Sequence, residues 1–132
     1  MDRSYVMKNT KSRERLHRLV SDISDSDLEL VIYKEGWTIA AALAHLAFWD
    51  ERRLFLVRKW KRKGVSPSPY DEHIINNALL PFLLAIPPRK SANLAIITAE
   101  ALDRELEELS PDLIAAIKAL GDRHALNRGN TS

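Results

Sequence analysis

The strongest constraint on the fold is one uninterrupted segment, residues 38–63, that contains neither Gly nor Pro. The segment is rich in Ala and Leu, which favour helices, and it opens with Thr38, a residue type that caps helix N-termini. Gly64 follows it, and basic residues fill its last turn, where the helix dipole favours cations. The segment therefore predicts one long helix from Thr38 to about Lys63.

Other helices are predicted on both sides of this segment. Apolar spacing and capping residues predict them over residues 6–20, 68–80, 88–109 and 111–120. The second of these starts with Ser68 as N-cap and Pro69 at its first position. Pro81 and the Pro87-Pro88 pair are expected to break or kink the chain. Because no stretch predicts a convincing strand, the fold class is all-α, an up-and-down helix bundle.

Length and composition limit the architecture and the chemistry. The 132 residues are 45% hydrophobic, which is enough for one domain with its own core. We expect that domain to span residues 1–121, with a polar tail over 122–132 that cannot anchor to a core by itself.

The absence of Cys excludes disulfides, thiolate metal sites and cysteine nucleophiles. No uncharged run is long enough to cross a bilayer and no secretory signal is present, so we expect a cytoplasmic protein without a membrane partner.

The net charge is only +2, but the charges are sorted along the chain. Residues 51–63 hold seven Lys or Arg against one acid, and residues 100–112 hold six acids against one Arg. This alternation is typical of neighbouring helices that pair across a bundle, whereas a nucleic-acid binder more often gathers positive charge on one face. Nucleic acid is therefore not an expected partner.

One face of the long predicted helix carries an imidazole among apolar side chains. At 3.6 residues per turn His45 shares this face with Ala42, Trp49, Leu56 and Trp60. Such a histidine is either a core residue bonded to a carbonyl or hydroxyl group, which is the commoner case, or a ligand. A metal site needs three or four ligands, and His45 supplies one. Periodicity alone leaves both interpretations open.

The same segment resembles a known family. The string Gly36-Trp37-Thr38, leading into His45-Leu46-Ala47-Phe48-Trp49-Asp50, resembles the second helix of the DinB-like superfamily of four-helix bundles, with its Gly-Trp-Thr/Ser start and His-Leu-x-x-Trp core. The string Ile74-Ile75-Asn76-Asn77-Ala78 is similar to the middle of one subgroup. The resemblance runs over about residues 16–121. It implies a DinB-like bundle, in some members of which three His hold a divalent ion, often zinc or nickel, for thiol transfer or isomerisation.

This resemblance makes His45 the first metal ligand. The family's other two ligands form a His-x-x-x-His pair on the final helix, but here His124 is followed four residues later by Arg128, whose guanidinium cannot coordinate a metal. The implied zinc or nickel site, His45 with His124, is thus incomplete, and the fourth helix is predicted to be missing or truncated. His73 lies beside Asp71 and Glu72, yet consecutive helical residues diverge and cannot converge on one ion.

Two functions remain open at this stage. One is a divalent-metal-dependent transferase or hydrolase acting on a thiol or small organic substrate, with His45 as a ligand and no catalytic residue assigned. The alternative is a non-catalytic helical bundle that binds a small molecule or a protein partner around His45. A missing fourth helix would leave apolar surface exposed, including the stripe of Leu43, Leu46, Leu54 and Val57, so we expect a two-fold homodimer whose interface includes the long helix.

Overall fold

A computed structural model describes residues 2–121 and 125–128 of the chain. Within these residues the helices are α1 (Ser4–Asp22), α2 (Asp25–Leu28), α3 (Ile39–Lys63), α4 (Glu72–Leu84), α5 (Pro88–Glu107) and α6 (Pro111–Leu120). The only β-type pairing among them is an isolated antiparallel bridge between Val31 and Thr38. The all-α prediction is therefore confirmed. None of the helices in the described ranges is long and apolar enough to span a membrane.

Helix α3 has the boundaries that its sequence predicts. The Thr38 hydroxyl accepts a hydrogen bond from the Ala41 amide at 2.9 Å, which satisfies one of the free N–H groups of the first turn. The helix ends at Gly64, whose φ of 89° lies in the region that only glycine adopts without strain. Local residues thus set both ends of this element.

Helix α3 packs along α5, and small residues line the contact. Ala40 and Leu43 of α3 lie in one buried cluster with Ala92 and Ala95 of α5. Further along the pair, a larger cluster joins both helices to α1, α6 and the segment 125–128. A third cluster holds α4 against α3. The stripe that was expected to form a dimer interface is covered within the chain, because Leu43, Leu54 and Val57 are buried and Leu46 is half-buried.

The sorted charges pair across these helices, as the sequence predicts. Glu105 of α5 accepts a hydrogen bond from Lys61 of α3 at 2.8 Å and lies 3.7 Å from Arg58. Arg13 of α1 contacts Asp103 of α5 at 2.8 Å. Two of the basic residues near the end of α3, Arg58 and Lys61, therefore share an acidic partner inside the bundle.

Two predictions about α4 are wrong. Its N-cap is Asp71, which accepts from the Ile74 amide at 3.1 Å, rather than Ser68. The Ser68 hydroxyl and carbonyl accept instead from Arg52, at 2.8 and 2.9 Å. The helix also continues past Pro81 to Leu84, because Leu83 is buried against α3 and holds the last turn in place.

The expectation that the residues after Gly121 cannot anchor to the core is wrong for residues 125–128. Ala125 and Leu126 are buried in the largest core cluster. The side-chain amide of Asn9 donates to the Leu126 carbonyl at 2.8 Å, so this segment is also held by polar contacts. Predicted ligand His124 lies outside the described residues.

Candidate functional site

An open cleft of about 480 Å³ lies where the start of α3, the start of α4 and the turn before α3 meet. Its lining combines aromatic, aliphatic and polar side chains: Tyr33, Glu35, Trp37, Ala42, His45, Leu46, His73, Asn76 and Asn77. Small-molecule sites commonly have this composition, with apolar walls and a few polar groups that orient the ligand.

The turn over residues 33–37 is shaped by Gly36, whose φ of 94° suits glycine. The Gly36 amide donates to the Tyr33 carbonyl at 3.1 Å, which closes the turn. The Ile32 amide then donates to the Trp37 carbonyl at 2.8 Å. These bonds hold Tyr33, Glu35 and Trp37 at the N-terminal end of α3, where they line the cleft.

Asn76 of α4 links the two polar side chains that α3 presents to it. Its Oδ1 atom lies 2.9 Å from the Trp49 indole nitrogen and 3.1 Å from His45 Nε2. An indole N–H can only donate, so the amide must present its oxygen to Trp49. The same oxygen then accepts from His45, which places a proton on Nε2. In neutral His45 the lone pair is therefore on Nδ1.

His45 is also surrounded by aromatic rings. The Trp37 ring meets it edge to face, with centroids 5.5 Å apart and planes at 84°, and the Trp49 ring lies 6.4 Å away. Burial lowers the pKa of His45 below its ordinary value, although the hydrogen bond to Asn76 and the charge of Glu72 oppose this effect. Burial thus favours the neutral form of the imidazole.

A second polar cluster is buried between α1, α3, α5 and the segment 125–128, and the sequence analysis missed it. Asp103 contacts Arg128 through both carboxylate oxygens, at 2.6 and 2.9 Å, and contacts Arg13 at 2.8 Å. Burial raises the pKa of the nearby Asp50 to about 7, against the opposing charges of Arg128 and Arg53. The signal was available, because Asp50 interrupts the stripe of Ala47, Leu54 and Val57 that faces the core.

The structure brings some predicted site residues together and not others. His45 and His73 line the same cleft, although the sequence analysis placed His73 in no site. His124 is outside the described ranges, and Arg128 is occupied by its ion pair with Asp103. Over residues 2–121 and 125–128 no three His, Asp or Glu side chains are grouped to hold a metal ion. Of the two ligands that the family resemblance implies, the described residues include His45 and not His124.

Comparison with known proteins identifies the family. The family model for the DinB superfamily matches residues 9–131, which is most of the chain and includes both the cleft and the buried cluster. No curated protein and no solved structure matched. The match agrees with the all-α fold. The chain therefore belongs to the DinB superfamily.

Proposed function

We propose that the protein is a non-catalytic DinB-superfamily bundle that binds a small organic molecule in the cleft between α3 and α4. The observation that carries the proposal is the His45, Asn76 and Trp49 arrangement at the cleft. Asn76 Oδ1 accepts hydrogen bonds from two protein groups, His45 and Trp49. These polar side chains are therefore already ordered before a ligand binds. Pre-ordered walls reduce the entropy lost on binding.

The mixture of surfaces supports a small molecule rather than a protein segment. Leu46 and Ala42 of α3 supply an aliphatic floor, and Trp37 supplies an aromatic wall. Asn77 and His73 add polar side chains from α4. The volume of about 480 Å³ falls within the range of roughly 300 to 1,000 Å³ that holds drug-sized ligands.

Binding can be tested by recording amide and indole resonances of the full chain while a library of small organic fragments is added. We expect shifts concentrated at residues 33–37, 42–46 and 73–77. Ala42→Phe fills the cleft and should abolish them, whereas Ala115→Phe, on an exposed position of α6, should not. Fragments that shift only resonances away from the cleft, or that bind Ala42→Phe equally well, would contradict the proposal.

The metal-dependent transferase or hydrolase stays a prediction based on the family resemblance, with His45 and His124 as its ligands. It requires neutral imidazoles, and burial of His45 favours that form. Two imidazoles bind zinc or nickel weakly, so we expect the desalted protein to retain much less than one equivalent. Tight one-to-one retention that is lost in His45→Ala would favour the enzyme over the binding protein.

We also propose that the protein associates as a two-fold homodimer, through a surface different from the predicted one. The outer side of α4, with its C-cap Ala85, carries exposed apolar residues at helical spacing: Ile74, Ala78, Pro81, Phe82 and Ala85. Ile74 and Phe82 are 66% and 72% exposed, values unusual for large apolar side chains that share a face. A second copy of the same helix, packed by symmetry, would cover this stripe.

A further inference from the structure

The cleft has an acidic lining. Glu35 is the only Asp, Glu, Lys or Arg among the described residues that line it. A second carboxylate, that of Glu72 in the first turn of α4, is close enough to affect the ionisation of His45. The formal charge that the described lining residues carry is therefore negative.

Aromatic rings stand beside this charge. Tyr33 and Trp37 flank Glu35 on the same closed turn, and all three side chains line the cleft. The faces of aromatic rings carry negative electrostatic potential and attract ammonium groups within about 6 Å. Aromatic side chains bind quaternary ammonium ligands in other proteins, and here Glu35 adds a carboxylate beside them.

No Lys or Arg is among the described residues that line the cleft. Arg52 of α3 donates to Ser68 and lies over the Tyr70 ring, 4.4 Å from its centroid, and it does not line the cleft. Lys34 is exposed and is likewise absent from the lining. A carboxylate or phosphate ligand would have no cationic side chain in the described lining to bind it.

We infer that the cleft takes an organic cation, an amine or quaternary ammonium compound carrying an apolar group. Glu35 supplies the opposite charge, Trp37 and Tyr33 supply the aromatic wall, and the aliphatic floor at Leu46 accepts the apolar group. This inference rests on the proposed function. It specifies the charge of the ligand, which the proposed function leaves open.

Three probes of similar size and different charge test the inference: benzylamine, benzyl alcohol and benzoate. Each is titrated into the full chain at pH 7 and low salt, and the indole resonance of Trp37 reports binding. We expect benzylamine to bind about fivefold more tightly than benzyl alcohol, as one partly exposed ion pair provides. Benzoate should bind most weakly. Added salt should weaken benzylamine binding and leave benzyl alcohol binding unchanged.

Two variants assign the effect to Glu35. Glu35→Gln keeps the side-chain shape and should reduce benzylamine affinity to that of benzyl alcohol. The control is Glu29→Gln, a change at an exposed residue outside the cleft, and it should leave benzylamine affinity unchanged. Equal binding of the three probes, or unchanged benzylamine affinity in Glu35→Gln, would overturn the inference and leave the proposed function standing. If no probe shifts Trp37 and the fragment library gives no shift in the cleft, both fail together.

Discussion

Among single residues, Asn76 has the largest influence on the chemistry of the cleft. Because its oxygen accepts from both Trp49 and His45, it determines which imidazole nitrogen carries the proton. A ligand therefore meets a histidine whose tautomer is already selected. Any metal bound by neutral His45 without displacing Asn76 would coordinate through Nδ1.

Asp50 gives a prediction about stability and pH. Burial raises its pKa to about 7 in the native state, from an ordinary value of 3.8, so the native state holds this proton more tightly than the unfolded chain. Ionising Asp50 thus costs native stability as the pH rises from about 4 to about 7. Asp50→Asn removes this cost and should gain up to about 4 kcal/mol relative to the native protein between pH 4 and pH 8.

Urea unfolding of the native protein and of Asp50→Asn at pH 4 and pH 8 measures this difference. The titration of all groups that the two proteins share contributes equally to both free energies of unfolding and cancels in the comparison. The exposed Glu14→Gln variant serves as the control and should follow the native pH profile. If the Asp50→Asn and native profiles run parallel, then Asp50 does not titrate in the native state over this range.

At the level of elements, a buried ion pair between Arg128 and Asp103 adds to the apolar and hydrogen-bond contacts that hold the segment 125–128 on the bundle. Arg128→Met would leave the Asp103 carboxylate with Arg13, whose side chain is 25% exposed, and should lower the free energy of unfolding by about 3 kcal/mol. Arg13→Met, which breaks the more exposed pair, should cost about 1 kcal/mol or less. Chemical denaturation of the two variants provides the comparison.

A second substitution separates charge from packing in that experiment. In the Arg128→Met background, Asp103→Asn removes the incompletely compensated carboxylate and should recover part of the lost stability. Equal and small losses in both single variants would show that the segment is held by its apolar residues instead.

The helices could be predicted from the sequence wherever their ends depend on local residues. Thr38 and Gly64 act on the backbone next to them, so the boundaries of α3 are confirmed. Ser68 also has the character of an N-cap, but Arg52 engages its hydroxyl from 16 positions away. Arg128 likewise finds Asp103 across 25 positions. Local patterns contain no information about which distant partner a polar side chain selects.

The sequence likewise predicts those site residues that are recognisable within one helix, and not those that depend on contacts between helices. His45 stands out because it interrupts an apolar stripe on one helix. His73 was compared only with its neighbours Asp71 and Glu72, whereas the fold places it in a cleft with a residue of another helix. Asn76 gave no signal of its role, because an amide becomes a histidine partner only through the packing of α4 on α3.

For the whole molecule, the apolar stripe on α4 predicts concentration-dependent association. A stable dimer interface typically buries roughly 800 Å² of each partner. If the α4 stripe forms such an interface, the mass measured by light scattering should rise with concentration from 15.0 kDa, the mass of one chain, toward about 30 kDa. Phe82→Glu places a charge in the stripe and should hold the mass near that of one chain. Phe55→Glu, on an exposed position of α3, is the matched control. A native mass that stays at one chain over a hundredfold concentration range would rule out the dimer.

The contacts between α1 and the segment 125–128 also affect how the chain folds during translation. Asn9 donates to the Leu126 carbonyl and accepts from Arg128 through its own carbonyl, over sequence separations of 117 and 119 residues. The ribosome releases α1 first, and α1 must wait for almost the whole chain before these bonds can form. Contacts of such long range slow folding. The contacts of α1 with α5 can therefore form before those with the segment 125–128, which complete the packing of α1 only after Arg128 has been synthesised.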